Sequence, residues 1–264
     1  MINLAAYRDS GMARAPAAFA PDEIDAINAR IDRHLTGSDY GVVREQGSAL
    51  VRAVHGLHLA DDYFAQLCAD PRLTGSVAAL LGDSFYVHQF KVNMKAARHG
   101  ESWPWHQDFI FWERLDGIAR PDMVNVALCL SDIGMPSGPV AYLRGSHRLG
   151  NLCSQVGGRT SWMSDVGHDL SFQIAPDQFD AQLAGFPTEH GTGAAGDVTF
   201  FHPQLVHGSG RNVSEHDRRL LLITYNAADN PPSRAGADAR PEFLCARDFT
   251  PIGRPAAAGQ AGER

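Results

Sequence analysis

The run WPWHQDFIFW at positions 103–112 sets His106 and Asp108 two residues apart inside an aromatic wrapper. Ionisable groups in apolar surroundings are costly unless something stabilises their charge. A structural salt link, a general acid–base pair, or two ligands of a buried metal would each do so. On a strand, residues two apart send both side chains to the same face. Much later, FFHPQLVHGSGRN supplies His202 and His207. An HxD pair with a distant histidine is the donor set of the two-histidine, one-carboxylate triad. That set holds Fe(II) from one side and leaves positions open for a bidentate cosubstrate and dioxygen. His207 is the expected third donor; His202 lies at odd spacing from it and should face away. Arg218 opens the apolar run LLLITYN, and a guanidinium entering a buried strand needs an anion whose geometry it matches, such as a carboxylate. Ser209, two residues after His207, can add a hydroxyl to the same carboxylate, whereas Arg219 alternates to the opposite face.

These residues need strands to position them. FYVHQFKVNMK has strand composition; its alternation puts Val87, Gln89, Lys91 and Asn93 on one face and His88, Phe90, Val92 and Met94 on the other. A face with three polar groups either meets water or lines a polar site. MVNVALCLSDI, DVTFFHP and RRLLLITYN read as further buried strands, with turns at Gly138-Pro139 and Gly196-Asp197. Upstream, Ile24, Ile27, Ile31 and Leu35 recur at helical spacing, and a second helical stretch covers roughly 61–81, broken at Asp70-Pro71 and stopped by Gly82. The expected architecture is one mainly β domain over 1–264, with a helical part to about 82 and a β core over about 83–250. A stretch over about 150–192, rich in Gly, Ser, Asp and Gln, reads as an insertion or lid, and the tail RPAAAGQAGER as a frayed end.

Composition narrows the class. A net charge of −7 argues against nucleic acid and anionic membranes as partners. No run of eighteen apolar residues and no basic-then-apolar leader is present, and the four cysteines lack CxxC spacing. The expectation is a cytoplasmic protein without structural zinc or disulfides.

The segments WHQDFIFWERLDG, GPVAYLRGSH and FFHPQLVHGSGRNVSEHDRRLLLITYN resemble the phytanoyl-CoA dioxygenase superfamily of iron(II)- and 2-oxoglutarate-dependent oxygenases, over about 51–251. Within it, VRAVHGLH, YVHQFKVNMK, WPWHQDFIFW and RPEFLCARDFTP look most like bacterial hydroxylases of free amino acids. The trans-4-hydroxylases of L-proline come first, the leucine 5-hydroxylases next, and the ectoine hydroxylases further off. The resemblance implies a double-stranded β-helix (jelly-roll) core with helices outside it. It makes His106, Asp108 and His207 the iron ligands, has Arg218 and Ser209 hold the distal carboxylate of 2-oxoglutarate, and lays Asn93 along that cosubstrate. The face of Gln89, Lys91 and Asn93 then turns inward. Arg144 stands where family members often have proline, which bears on loop stiffness. Related halogenases have a small residue in place of the carboxylate; with Asp108 present, hydroxylation is expected.

The implied reaction consumes O2 and 2-oxoglutarate, releases succinate and CO2, and hydroxylates an unactivated C–H bond of a free amino acid. L-Proline at the trans-4 position is the first expectation, and leucine, pipecolate or another small aliphatic amino acid the alternative; ascorbate would serve as reductant in vitro. For the substrate, Trp103, Trp112 and Phe201 are candidate walls, although core packing is the default for any one aromatic. Arg240 in ARPEF is the candidate for the substrate carboxylate, with Gln89 and Lys91 as polar contacts and His55 closing the pocket. His88 should point away from the site, and His147 should be a structural hydrogen-bond partner. Two other classes compete. A cupin-like metal-binding module without turnover has no need of Arg218 and Ser209. A zinc hydrolase on the same donors would want a general base, and the motif offers only Gln107 and the more remote Glu113.

Overall fold

Ile24, Ile27 and Ile31 form the buried stripe of α2 (Pro21–Gly37), whose Pro21 sits in the first turn ahead of Asp22 and Glu23. In the computed structural model, which describes residues 1–158, 161–167, 169–234 and 239–252, this helix is preceded by α1 (Leu4–Ser10). It is followed by α3 (Leu57–Ala60), α4 (Asp62–Cys68) and α5 (Pro71–Leu81). Asp70 caps α5 by accepting from Arg72 N at 2.8 Å, so the Asp-Pro break is a new N-terminus. The expected frayed tail lies outside the described residues. Among the described residues no helix is long and apolar enough to cross a membrane.

Among the described residues the strands are β1 (Met12–Ala15), β2 (Val42–Arg44), β3 (Val51–His55), β4 (Phe85–Lys95), β5 (Trp103–His106), β6 (Met123–Cys129), β7 (Val140–Leu143), β8 (Ser154–Gln155), β9 (Phe172–Gln173), β10 (Thr188–His190), β11 (Val198–Phe201), β12 (His207–Ser209) and β13 (Arg218–Ala227). A seven-stranded antiparallel sheet runs β1-β11-β6-β13-β4-β3-β2, and a four-stranded one runs β10-β7-β12-β5; β8 and β9 pair separately. This is the jelly-roll architecture the resemblance implies. Three strands of the larger sheet, β1 to β3, fall within 1–82, so that part is less purely helical than expected.

One face of the large sheet packs on the helices. Phe90 and Val92 of β4, Val124, Val126 and Leu128 of β6, and Leu221 and Ile223 of β13 join Ile24, Ile27, Leu73 and Val77 in a single apolar cluster. On the other face, Ala127, Leu220 and Leu222 meet Tyr142 of the small sheet, so β6 is buried throughout its length.

Strand β4 departs from simple alternation. It pairs with β13 as Gln89↔Thr224 and then Val87↔Tyr225, leaving His88 as the extra residue of a β-bulge. The bulge flips the parity of everything before it. Phe85 and Val87 therefore pack on the helix side with Phe90 and Val92. His88 turns to the same side as Gln89, Lys91 and Asn93, against the expectation that it points away.

Candidate metal centre and its flanking cavities

Strands β5 and β12 pair with His106 directly opposite His207, which holds the two imidazoles with ring centroids 4.2 Å apart. Asp108 is not on the strand, as the two-residue spacing suggested. β5 ends at His106, and Asp108 has helical dihedrals (φ −70°, ψ −37°) ahead of the turn Phe109–Phe111. The chain bends, yet the carboxylate still meets both rings: its Oδ1 is 3.9 Å from His106 Nε2 and its Oδ2 is 3.6 Å from His207 Nε2. One donor atom from each residue lies within 4.8 Å of the others. Ligands bound at about 2.1 Å to one ion stand roughly 3 to 4 Å apart, so the spacing suits a single cation.

The donor chemistry fits as well. His106 Nδ1 lies 2.7 Å from Pro104 O and His207 Nδ1 lies 2.8 Å from Leu205 O. A backbone carbonyl accepts, so each Nδ1 carries the proton and each Nε2 presents a lone pair to the centre. Burial, with His207 beside it, pushes His106 down to about 3, and burial lowers His207 too. Burial raises Asp108, but Lys91 and the two imidazoles outweigh it and hold the carboxyl below its ordinary range. All three are thus in their metal-binding protonation states near neutrality. Asn125 donates to Asp108 Oδ2 at 2.9 Å and itself accepts from Thr224 Oγ1 at 2.7 Å, which fixes the carboxylate.

Two cavities flank the triad. The first is lined by His55, Gln89, Trp112 and Arg240 and by Asp165 of the 150–192 segment. The second is lined by Asn93, Phe201, Ser209 and Arg218. Lys91, Trp103 and His106 border both. Trp103 is held by the Arg52 guanidinium, 3.7 Å over its ring.

The second cavity is short of an anion. Arg218 donates from Nη2 to Gly138 O at 3.0 Å, but its Nε and Nη1 are buried without a partner among the described residues, as is Asn93 Oδ1. Buried polar groups are normally satisfied, so the unmet donors leave room for an acceptor that the described residues do not supply. In the first cavity the charges are already engaged. Arg240 grips Asp116 through Nε (2.9 Å) and Nη2 (2.6 Å), and His88 Nε2 stands 3.3 Å from the same carboxylate. A π-helical turn, Trp112–Asp116, places Trp112 on the cavity and Asp116 behind it. Gln89 Nε2 donates to Leu244 O at 3.0 Å, while neither ring nitrogen of His55 has a hydrogen-bond partner among the described residues.

Phe201, expected at the substrate, instead lies on the second cavity, edge-on to His207 at 5.3 Å. His202 faces away from the triad, with its ring 5.1 Å from that of His147. His147 Nε2 lies 3.3 Å from Arg8 O. His88, Asp116 and Cys245 also converge, but Arg240 occupies the Asp116 carboxylate and burial pushes the Cys245 thiol up to about 12, so this group is poor in free donors for a cation. Sequence reasoning missed Asn125, Asp116, Asp165 and Lys95. For Asn125 a signal existed: it is the one polar residue in the apolar strand MVNVALC, and buried amides need partners.

A jelly-roll that presents a buried two-histidine, one-carboxylate donor set beside an anion-seeking cavity defines the mononuclear-metal, oxo-acid-dependent class of oxygenase. The chain belongs to the phytanoyl-CoA dioxygenase (PhyH) family, which it matches over residues 7–220, and it is an enzyme of that 2-oxoglutarate-dependent class. It is 39% identical over 251 residues to L-proline trans-4-hydroxylase of Streptomyces griseoviridis, covering 93% of this chain and 92% of that protein. It is 31% identical over 260 residues to ectoine dioxygenase of Streptomyces anulatus, covering 95% and 86%. Its structure is similar to that of EctD from S. alaskensis, crystallised with 2-oxoglutarate and 5-hydroxyectoine, at a TM-score of 0.78 and 27% identity, covering 96% and 84% of the chains.

Proposed function

We propose that this enzyme binds Fe(II) at His106, Asp108 and His207, takes 2-oxoglutarate into the second cavity, and hydroxylates a free L-amino acid in the first, with L-proline converted to trans-4-hydroxy-L-proline. The observation that carries the reading is the unpartnered Nε and Nη1 of Arg218 beside the donor set. Arg218 and Ser209 hold the distal carboxylate of the cosubstrate, and Asn93 lies along it. When bound, iron supplies activation of O2 coupled to decarboxylation of 2-oxoglutarate to succinate and CO2. Trp103, Trp112 and Phe111 keep water from the reacting carbon. Gln89, Lys91, His55 and Arg240 present polar groups to the amino-acid head; Nη1 is the Arg240 nitrogen that Asp116 does not engage. The higher identity to the proline enzyme favours proline over ectoine. The four free thiols suit the reducing cytosol that keeps iron ferrous.

The test is succinate formation with Fe(II), ascorbate and 2-oxoglutarate, run against the free L-amino acids, pipecolate and ectoine, with product mass read in parallel. Stimulation by proline with a gain of one oxygen is the expected result. Stimulation by leucine, pipecolate or ectoine instead would move the substrate and keep the chemistry. No stimulation by any of them would overturn the amino-acid reading.

A further inference from the structure

Behind the second cavity stands another buried cation. Lys95, the last residue of β4, is directly opposite Arg218, the first residue of β13, and each is 1% exposed. Like charges facing each other across a strand pair repel, and in a buried setting the cost rises. The neighbouring acids are taken: Glu45 is paired with Arg52 at 3.1 Å and Glu101 with Arg211 at 3.0 Å. Lys95 and Arg218 therefore face each other with neither of these acids free to offset them.

Lys95 Nζ reaches three acceptors. Nζ donates to Ser209 Oγ at 2.7 Å, to Gly210 O, and to Gly138 O at 3.5 Å, the same carbonyl that Arg218 uses. Gly138 makes this convergence possible. Its φ is +66°, and a Cβ there would come within 2.5 Å of Gly210 O. Because Ser209 accepts from Lys95, its own hydroxyl proton is turned away from the lysine. Ser209 borders the cavity and Lys95 does not, so the lysine acts through the serine. Burial, then Arg218 and Arg52, push Lys95 down to about 6, which disfavours the ammonium in the ligand-free site; a carboxylate against Arg218 would offset that repulsion and favour the charged form.

We propose that Lys95 is a positioning residue of the cosubstrate subsite, orienting the Ser209 hydroxyl toward the distal carboxylate and selecting a 2-oxo dicarboxylic acid over a 2-oxo monocarboxylic one. The inference rests on the 2-oxoglutarate reading above.

The experiment measures dissociation constants on the anaerobic, Fe(II)-loaded protein by calorimetry, for 2-oxoglutarate and for 2-oxobutyrate, which has the same chelating head and no distal carboxylate. Lys95→Met weakens 2-oxoglutarate by roughly ten- to a hundredfold, the scale of a hydrogen bond to a charged group, and leaves 2-oxobutyrate within about twofold. In a Ser209→Ala background the lysine substitution adds little, since its route is already cut. Lys95→Gln keeps a donor to Ser209 without charge, shows a smaller selective loss, and carries the test if the methionine variant is recovered unfolded. Equal weakening of both acids, unchanged 2-oxoglutarate affinity, or losses additive with Ser209→Ala would each overturn the role of Lys95. A wild-type protein indifferent between the two acids would overturn the cosubstrate reading itself, whatever Lys95 does.

Discussion

The two cavities around the triad solve opposite problems. In the second, the polar groups come from the long central strands β4 and β13 and from β12, and the key donors of Arg218 are unmet. In the first, the buried arginine is already neutralised by Asp116, and part of the wall, Asp165, Val166 and Leu170, comes from the 150–192 segment. A site built on paired strands is rigid, and its unpaired charge is stable only as a standing demand for one kind of ligand. A wall borrowed from a connecting segment can change shape without disturbing the sheets. The difference suits an invariant cosubstrate on one side and a variable substrate on the other. It also says where substitutions should act selectively and where they should not.

The largest effect ignores the distinction. Asp108 belongs to the donor set between the two cavities, so Asp108→Ala should lower hydroxylation by on the order of 10⁴-fold or more, with iron content falling alongside it by metal analysis. If 2-oxoglutarate turnover persisted at wild-type level, the shared centre would lie elsewhere. Arg240→Ala comes next and belongs to the first cavity. It strands the Asp116 carboxylate, which is 1% exposed, and removing one partner of a buried pair costs about 3–5 kcal/mol of stability by denaturant titration. The amino-acid KM should rise while 2-oxoglutarate affinity holds. A loss of 2-oxoglutarate affinity in this variant would break the partition between the cavities.

Arg218→Ala is the mirror test in the second cavity. It should raise the KM for 2-oxoglutarate roughly 10²-fold, the loss typical of truncating one side of a desolvated charge pair. The amino-acid KM should change little. Since, among the described residues, the Arg218 side chain donates a single hydrogen bond, through Nη2 to Gly138 O, its removal should also destabilise the ligand-free protein less than loss of Arg240 does.

The asymmetry extends to what could be read in the residues themselves. β4, β6, β11 and β13 announce themselves by apolar and β-branched runs, and α2 and α5 by helical spacing with proline and glycine at their ends. That His106, Asp108 and His207 converge could be read from their types and spacing, and Arg218 stood out because an arginine has little business in a buried strand without a partner. β1 and β2 are short and sit among helices, so periodicity had nothing to act on. The bulge at His88 leaves no mark in composition, yet it reverses which side chains face the site. The Arg240–Asp116 pair joins residues 124 positions apart, and neither carries a local signal of the other. The second cavity is thus written in strand residues, while the first depends on contacts between segments that only folding brings together.

The smallest effect sharpens the comparison through acid. Burial, with Lys91 and Arg240 nearby, holds His55 at about 3 against an ordinary value of 6.5. Burial likewise holds His58 and His202 near 4. A histidine with a depressed folded value binds its proton more readily when unfolded. Its contribution to stability is therefore complete above pH 6.5 and is lost as pH falls toward the folded value. At pH 5 His55 alone should account for roughly 2 kcal/mol of destabilisation. His55→Gln, which cannot titrate, should flatten the fall of Tm between pH 7 and pH 5 and should alter the amino-acid KM without touching 2-oxoglutarate. An unchanged acid slope in this variant would mean that His55 is solvated or paired in solution, and the first cavity would lose its neutral imidazole as a contact for the substrate.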